Sequence, residues 1–360
     1  MKPYRLRLPG PTAVPERVRD AMARPMLGHR GPEFREILTC AESLLRPVLG
    51  TSNHVFFYSA TGTGMMEAAL VNALAPDERV LVVIHGQFGE RFASIAQGMR
   101  ARVDTLETEW GRAPDLNAIE DCLRANQYRA VVVVHNESST GVAAPLARIG
   151  ALLRNRPELL LVDSISGLGG MEMRMDDWGV DIIAGASQKA LMCAPGLGIA
   201  SISPKAWEIV RRDDRMPRYF WDFRKAMESA GKTETPFTSA VSLIAGLKEA
   251  LEMIHEEGLP QVLSRHERLS SRLRDRCAAL GLPSFARENL SHTVVALDAA
   301  SRGKEIVRHL YEQHGTVIAG SRNKLSGRVI RIGTMGCVTD EDIAADLDHL
   351  GETLRSIHAR

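Results

Sequence analysis

From about residue 55 to 203 the chain repeats one rhythm: a short apolar run rich in β-branched residues, a polar break, and then a stretch of helix length. The runs are Val55-Phe56-Phe57-Tyr58, Val80-Leu81-Val82-Val83-Ile84, residues 130 to 134, 159 to 162, Asp181-Ile182-Ile183 and 199 to 202. Successive side chains of a strand point to opposite faces, so a run such as Val131-Val132-Val133-Val134, apolar at both parities, must be covered on both sides. A mostly parallel sheet with crossover helices meets that demand, and the pattern predicts an α/β fold with ligands gathered at the carboxyl ends of the strands.

Beyond Thr238 the pattern changes to long amphipathic helices, with Val241, Ile244, Leu247, Leu251 and Ile254 on one face and Leu269, Leu273 and Leu280 on another. Glu257-Gly258-Leu259-Pro260 reads as a hinge between them. Strand-like pieces at 293 to 297, 316 to 318 and 328 to 332 then alternate with helices around 303 to 314 and 340 to 357, the signature of a small α+β unit. With 360 residues and about 150 per domain, the expectation is two domains: residues 1–257 and residues 258–360.

Charge narrows the function classes. Lys and Arg total 45 against 44 for Asp and Glu, so no global field holds a nucleic acid or an anionic membrane. No stretch of about 18 apolar residues is present to span a bilayer. The five cysteines are scattered without a CxxC pair, which argues against a zinc site or redox dithiol and for reduced thiols. The opening MKPYRLRLPGP lacks the apolar core of a secretory signal, and His358-Ala359-Arg360 is no peroxisomal or retention address. A cytoplasmic protein is expected.

The strand ends carry the chemistry. Ser59-Ala60-Thr61-Gly62-Thr63-Gly64 precedes a helix-like segment, and a small-residue turn at a helix start offers free amides and a positive dipole end to a phosphate. Taken alone, such a turn is more often plain N-capping, and its glycines do not make GxGxxG. In Leu161-Val162-Asp163-Ser164 a carboxylate follows a fully apolar strand, where it needs a cationic partner such as a protonated ring nitrogen or an arginine. In Ser187-Gln188-Lys189-Ala190 a lysine follows another strand among small and apolar neighbours; it is either a snorkelling surface side chain or a desolvated, nucleophilic amine able to form a Schiff base. An acid and a lysine on neighbouring strand tips favour the second reading.

With DSISGLGG (163 to 170), GASQKALMCAPG (185 to 196) and HNESSTG (135 to 141) in order, the chain resembles the class V aminotransferases, and within them the alanine/serine:glyoxylate aminotransferase group. LPGPTAVP (8 to 15), HGQFGERF (85 to 92), TPFTSAVSL (235 to 243) and RVIRIGTMG (328 to 336) extend the resemblance over nearly the whole chain. The resemblance implies a fold type I, pyridoxal 5'-phosphate (PLP)-dependent transferase: a large domain with a seven-stranded, mostly parallel sheet, a small C-terminal α+β domain, and a homodimer with composite active sites. It implies that Lys189 holds the cofactor as a Schiff base and that Asp163 pairs with the pyridine nitrogen. Thr61, Gly62, Thr63 and Gln188 match positions that hold the phosphate, and Thr235 and Thr238 match positions that reach the phosphate of the partner subunit. Ser138 matches a hydroxyl on the ring oxygen, and Phe88 an aromatic stacked on the ring. Arg331 matches the grip on the substrate carboxylate, a role suited to a planar guanidinium fork. Gly10 lets the Pro9-Gly10-Pro11 backbone approach the substrate closely. Arg30 is expected to add positive charge at the entrance, from the same subunit or the other.

The implied reaction moves an amino group from a small amino acid to a 2-oxo acid such as glyoxylate or pyruvate. The alternatives are 2-aminoethylphosphonate:pyruvate transamination, since Arg331 suits a phosphonate too, and a non-catalytic PLP-binding regulatory module, which would need a DNA-binding segment that is not read before Leu8. Cysteine desulfuration fits poorly, because enzymes of that activity stack a histidine where Phe88 stands. Thr63, Phe88 and Thr334 replace side chains that are often histidine, tryptophan and histidine in the group, which leaves the amino donor open.

Overall fold

The computed structural model describes residues 4–212 and 215–358; the first three and last two residues, on which part of the targeting expectation rests, lie outside the described residues. Seven of the described strands form one sheet, in spatial order Val55–Ser59, Leu197–Ile202, Ile182–Ala186, Leu159–Asp163, Ala130–Val134, Arg79–Ile84 and Arg102–Glu107. All pairings are parallel except the two made by Leu197–Ile202, which runs against both of its neighbours.

The expectation from parity is met residue by residue. Val131 and Val133 belong to one core and Val132 and Val134 to the other, all at 2% exposure or less. Helices Pro32–Leu49, Leu116–Ala125, Leu146–Leu153 and Val241–Glu257 cover the first face, and Gly62–Ala73, Gln87–Gly98, Pro204–Arg212 and Phe223–Ala230 cover the second. Strand Arg102–Glu107 escaped the sequence reading. It is one of the two sheet edges and is half-exposed along its length, with Arg102, Asp104 and Glu107 among its six residues, so it lacks the apolar run of the other edge, Val55–Ser59.

The helix Val241–Glu257 ends at Gly258, whose φ of 90° turns the chain into helix Leu259–Ala279. A three-stranded antiparallel sheet follows, with Val329–Gly333 between Val294–Asp298 and Ala319–Gly320. Helices Gly303–His314 and Asp340–His358 pack with it around Leu269, Leu273, Ile306, Ile330 and Ile343. The N-terminal strand Arg5–Leu6 pairs in parallel with Thr316–Val317, and the amide of Gly333 donates to the Arg7 carbonyl at 2.8 Å. Residues 5–7 are therefore fastened to the C-terminal unit before the chain crosses to the large sheet. No helix among the described residues is long and apolar enough to cross a membrane, and all five cysteines are free.

Candidate active site

The strand order reverses between Arg79–Ile84 and Ala130–Val134, which opens a crevice at their carboxyl ends. A cavity of about 160 Å³ lies there. Asp163 enters it from the last position of its strand, Lys189 from the turn after Ile182–Ala186, and Ser138 from the loop after Ala130–Val134. Thr61, Gly62 and Thr63 enter from the end of Val55–Ser59, Phe88 from the first turn of Gln87–Gly98, and Gln188 from beside the lysine. Residues spread over more than a hundred positions of sequence thus meet because parallel strands bring their carboxyl ends to one edge.

Burial sets the charge states. Asp163 is 3% exposed, accepts the Ile165 amide at 2.8 Å, and forms no ion pair among the described residues. Burial pushes its carboxyl up to about 7, against the pull of the Ile165 amide; Glu137 adds to the rise, while Lys189 and Arg91 oppose it. Lys189 keeps part of its surface open to the cavity but is walled off from bulk water. That desolvation brings its amine down to about 8, opposed by Asp163 and assisted by Arg331 and Arg91. The amine donates to the Pro9 carbonyl. Thr12 ties the same N-terminal segment to the lysine turn, its amide donating to the Gln188 carbonyl at 3.2 Å and its hydroxyl to the Lys189 carbonyl at 3.0 Å. Gly10 lies between them at φ 99°, and a Cβ there would sit 2.3 Å from Lys189 Cδ, so both conformation and space require glycine.

The small-residue turn has the properties of an anion cup. Thr61 caps helix Gly62–Ala73, its hydroxyl accepting the Gly64 amide at 3.3 Å. The amides of Gly62 and Thr63 open the helix and have no carbonyl one turn earlier to receive them. The Gln188 side-chain oxygen is buried without a partner, and a flip of that amide can present a donor instead.

Arg331 reaches the cavity only through a lining residue, Ser138. Its guanidinium donates to the Ser138 carbonyl at 3.2 Å and the Gly320 carbonyl at 2.8 Å, while its Nε is buried without a partner. Burial lowers its pKa, although Glu137 opposes the shift. No carboxylate pairs with it among the described residues.

Gly10 and Arg331 adjoin the cavity through Lys189 and Ser138 without lining it, and three further named residues lie away from it. Thr235 and Thr238 line a separate hollow with Tyr58, Phe220 and Phe237, and the Thr235 hydroxyl donates to the Phe237 carbonyl at 2.7 Å. Arg30 is exposed on the surface, with its Nε 3.7 Å from Glu234. Two residues the sequence reading passed over do belong to the site. Arg91, three positions after Phe88 on the same helix, lines the cavity. Glu137 is fully buried and accepts the amides of Phe88 at 3.0 Å and Gly89 at 3.2 Å, so it caps the helix that presents the ring. Arg91 carries no local sign in the sequence, because an arginine on a helix reads as solvated. An acid between Asn136 and Ser138 carries no local sign that it is a buried cap.

The chain is similar to known proteins over nearly its whole length. The family model described as "Aminotransferase class-V" matches residues 10–345. The chain is 37% identical over 343 residues to the L-aspartate–glyoxylate aminotransferase of Paracoccus denitrificans, covering 92% of this chain and 86% of that one. It is 35% identical over 358 residues to a protein of Synechococcus sp. named "Soluble hydrogenase, small subunit", covering 98% and 93%. Among solved structures, the alanine–glyoxylate aminotransferase of Nostoc sp. superposes with a TM-score of 0.94 at 32% identity, covering 99% of this chain and 96% of that one.

Proposed function

The chain belongs to the class V aminotransferase family, and from that membership we propose that it moves the amino group of a small amino acid of the alanine, serine or aspartate kind to glyoxylate or pyruvate. It is a PLP-dependent transaminase of fold type I. The residues suit the cofactor on physical grounds. A buried carboxyl raised to about 7 lacks a cation, which a protonated pyridine nitrogen supplies. A lysine lowered to about 8 offers its amine at the next strand tip. The two free amides at Gly62 and Thr63 and the unpartnered Gln188 side chain fit a phosphate. Lys189, Asp163, Thr61, Gly62, Thr63 and Gln188 are the residues we assign to hold it, with Phe88 against the ring and Ser138 beside the ring oxygen.

When bound, PLP supplies an aldehyde for an amine and a protonated ring that draws electrons from the substrate's α-carbon. The chain's own groups do the rest. Arg331 orients the substrate carboxylate by its fork, and its unpartnered Nε leaves a donor free to do so. Lys189 takes the α-proton and returns it on the other side of the exchange. An amine brought down to about 8 is neutral in roughly one molecule in ten at pH 7, enough to act as a base and still protonated enough to act as an acid. Asp163, raised to about 7, is only partly ionised at neutral pH, and a cation bound beside it would hold it in the charged form. Pro9, Gly10 and Thr12 close the cavity over the lysine and limit water.

The single observation that carries this reading is that the Lys189 amine and the buried Asp163 carboxyl line one cavity, beside which the Arg331 guanidinium, paired with no carboxylate among the described residues, donates to the carbonyl of the lining residue Ser138. We further assign the chain to a homodimer in the cytoplasm. Thr235 and Thr238 lie away from this chain's own cavity, which supports their serving the site of a second copy. The test is a panel of L-alanine, L-serine, L-aspartate and 2-aminoethylphosphonate against glyoxylate and pyruvate, followed by the cofactor's absorbance. A carboxylate donor should convert the bound cofactor to its amine form, and Lys189→Ala should abolish turnover. Conversion by the phosphonate alone would favour the 2-aminoethylphosphonate reading, and conversion by no donor would overturn transamination.

A further inference from the structure

The proposal here rests on the PLP reading and concerns a cation it does not use. Arg91 is half-buried, lines the cavity, and donates from Nη1 to the Thr63 hydroxyl at 3.1 Å. Its guanidinium carbon lies 4.7 Å from the centre of the Phe88 ring. Its neighbour Glu90 is taken by Lys324 at 2.9 Å, and Arg91 pairs with no carboxylate among the described residues. A guanidinium held by a ring face and a hydroxyl inside a cavity, without a counterion from the protein, is poised for an anion that arrives with a ligand.

The placement decides which anion. Thr63 is the second residue of helix Gly62–Ala73, so Arg91 leans on the same helix start whose amides face the cavity. Arg331 is held elsewhere, by the carbonyls of Ser138 and Gly320 rather than by the helix start. We propose that Arg91 is a cofactor-binding residue that pairs with the phosphate dianion and supplies the side-chain cation of an anion cup otherwise built from neutral donors: the helix-start amides, hydroxyls and the Gln188 amide. The cup is then specific for charge as well as shape, because a neutral donor set discriminates weakly between a phosphate ester and an alcohol, whereas a guanidinium fork does so strongly.

The experiment compares apoprotein binding of pyridoxal 5'-phosphate with that of pyridoxal, which lacks the phosphate, by absorbance titration of wild type, Arg91→Ala and Arg91→Lys. Arg91→Ala should weaken the phosphate ester at least tenfold and leave pyridoxal within twofold of wild type, with Arg91→Lys between. Inorganic phosphate should compete with the ester in wild type and far less in Arg91→Ala. Equal losses for both aldehydes, or no loss for the phosphate ester, would overturn the assignment. So would an unchanged phosphate-ester affinity with a raised KM for L-aspartate alone, which places a substrate carboxylate on Arg91. Circular dichroism of each variant separates a binding defect from a failed fold, and Arg91→Lys carries the test if Arg91→Ala does not fold. If wild type itself captures neither aldehyde, the PLP reading fails rather than this inference.

Discussion

At the scale of single residues, the site is a set of groups moved from their ordinary charge states by burial. Lys189 makes the sign of that movement measurable. Its amine is brought from the usual lysine value down to about 8, so its neutral fraction grows as pH rises through about 8. The rate at which apoprotein captures PLP should therefore climb about tenfold per pH unit below 8 and level off above it. Asp163 acts on that amine in the opposite sense, because its negative charge helps hold the proton. Asp163→Asn should move the midpoint of the stopped-flow pH profile below 8. A profile still rising steeply to pH 10, or a midpoint that moves upward in the variant, would remove burial as the cause. Lys189 and Asp163 were legible in the sequence because each follows a fully apolar strand, where an ionisable residue is out of place. Arg91 was not, since an arginine within Glu90-Arg91-Phe92 reads as the solvated face of a helix until the crevice beside it is known. Glu137 escaped for another reason: its partners are backbone amides of residues 88 and 89, and amides have no identity in a sequence.

At the scale of elements, helix Gln87–Gly98 depends on a group that is not its own. Its N-cap is Gly86, which has no side chain to cap with, and the first amides are received instead by Glu137 and by the Ser139 hydroxyl, which accepts from Gln87 at 2.9 Å. A Cβ at Gly86 would fall 2.2 Å from Glu137 Cγ, so the glycine makes room for the carboxylate that replaces a cap. Burial raises the Glu137 pKa against its hydrogen bonds, a cost that the capping contacts must exceed. Glu137→Ala leaves buried donors unmade at about 1 to 3 kcal/mol each, and a net loss of about 3 kcal/mol in urea unfolding is expected after the relief of the buried charge. A loss below about 0.5 kcal/mol would mean that the helix start is satisfied without it. The same scale shows what periodicity can and cannot deliver. Six sheet strands announce themselves by apolar runs. The seventh, Arg102–Glu107, is an edge strand left half-exposed, unlike the buried edge Val55–Ser59, and needs no such run. The reversed direction of Leu197–Ile202 is equally silent, because burial on both faces is indifferent to polarity.

At the scale of the whole molecule, one chain accounts for most of a site but not for all the residues assigned to it. Thr235 and Thr238 follow the aromatic stretch Tyr219-Phe220-Trp221, in which Tyr219 is 71% and Phe220 39% exposed. Phe220 stacks on Phe237 with ring centres 5.0 Å apart, so the loop bearing the threonines is braced by rings that themselves face outward. Large apolar side chains grouped beside polar ones on a surface suit contact with another protein surface better than water, and a two-fold dimer would place each loop against the partner's crevice. Arg30 and Arg35 meet Glu234 immediately before that loop, which gives the exposed arginine a place at the same edge. The arrangement can be tested without a structure of the dimer. On the proposed composite site, Lys189→Ala would inactivate the site of the chain that carries it, while Thr235→Asp with Thr238→Asp would set negative charge against the phosphate of the other chain's site. Unfolded together and refolded at equal amounts, the two inactive proteins should yield heterodimers in which one site carries both defects and the other neither, restoring about one site in four. Recovery of activity on mixing, with a dimeric mass by analytical ultracentrifugation, is the expected outcome. No recovery from proteins shown to have exchanged chains would place both threonines in the service of their own chain and dissolve the composite site.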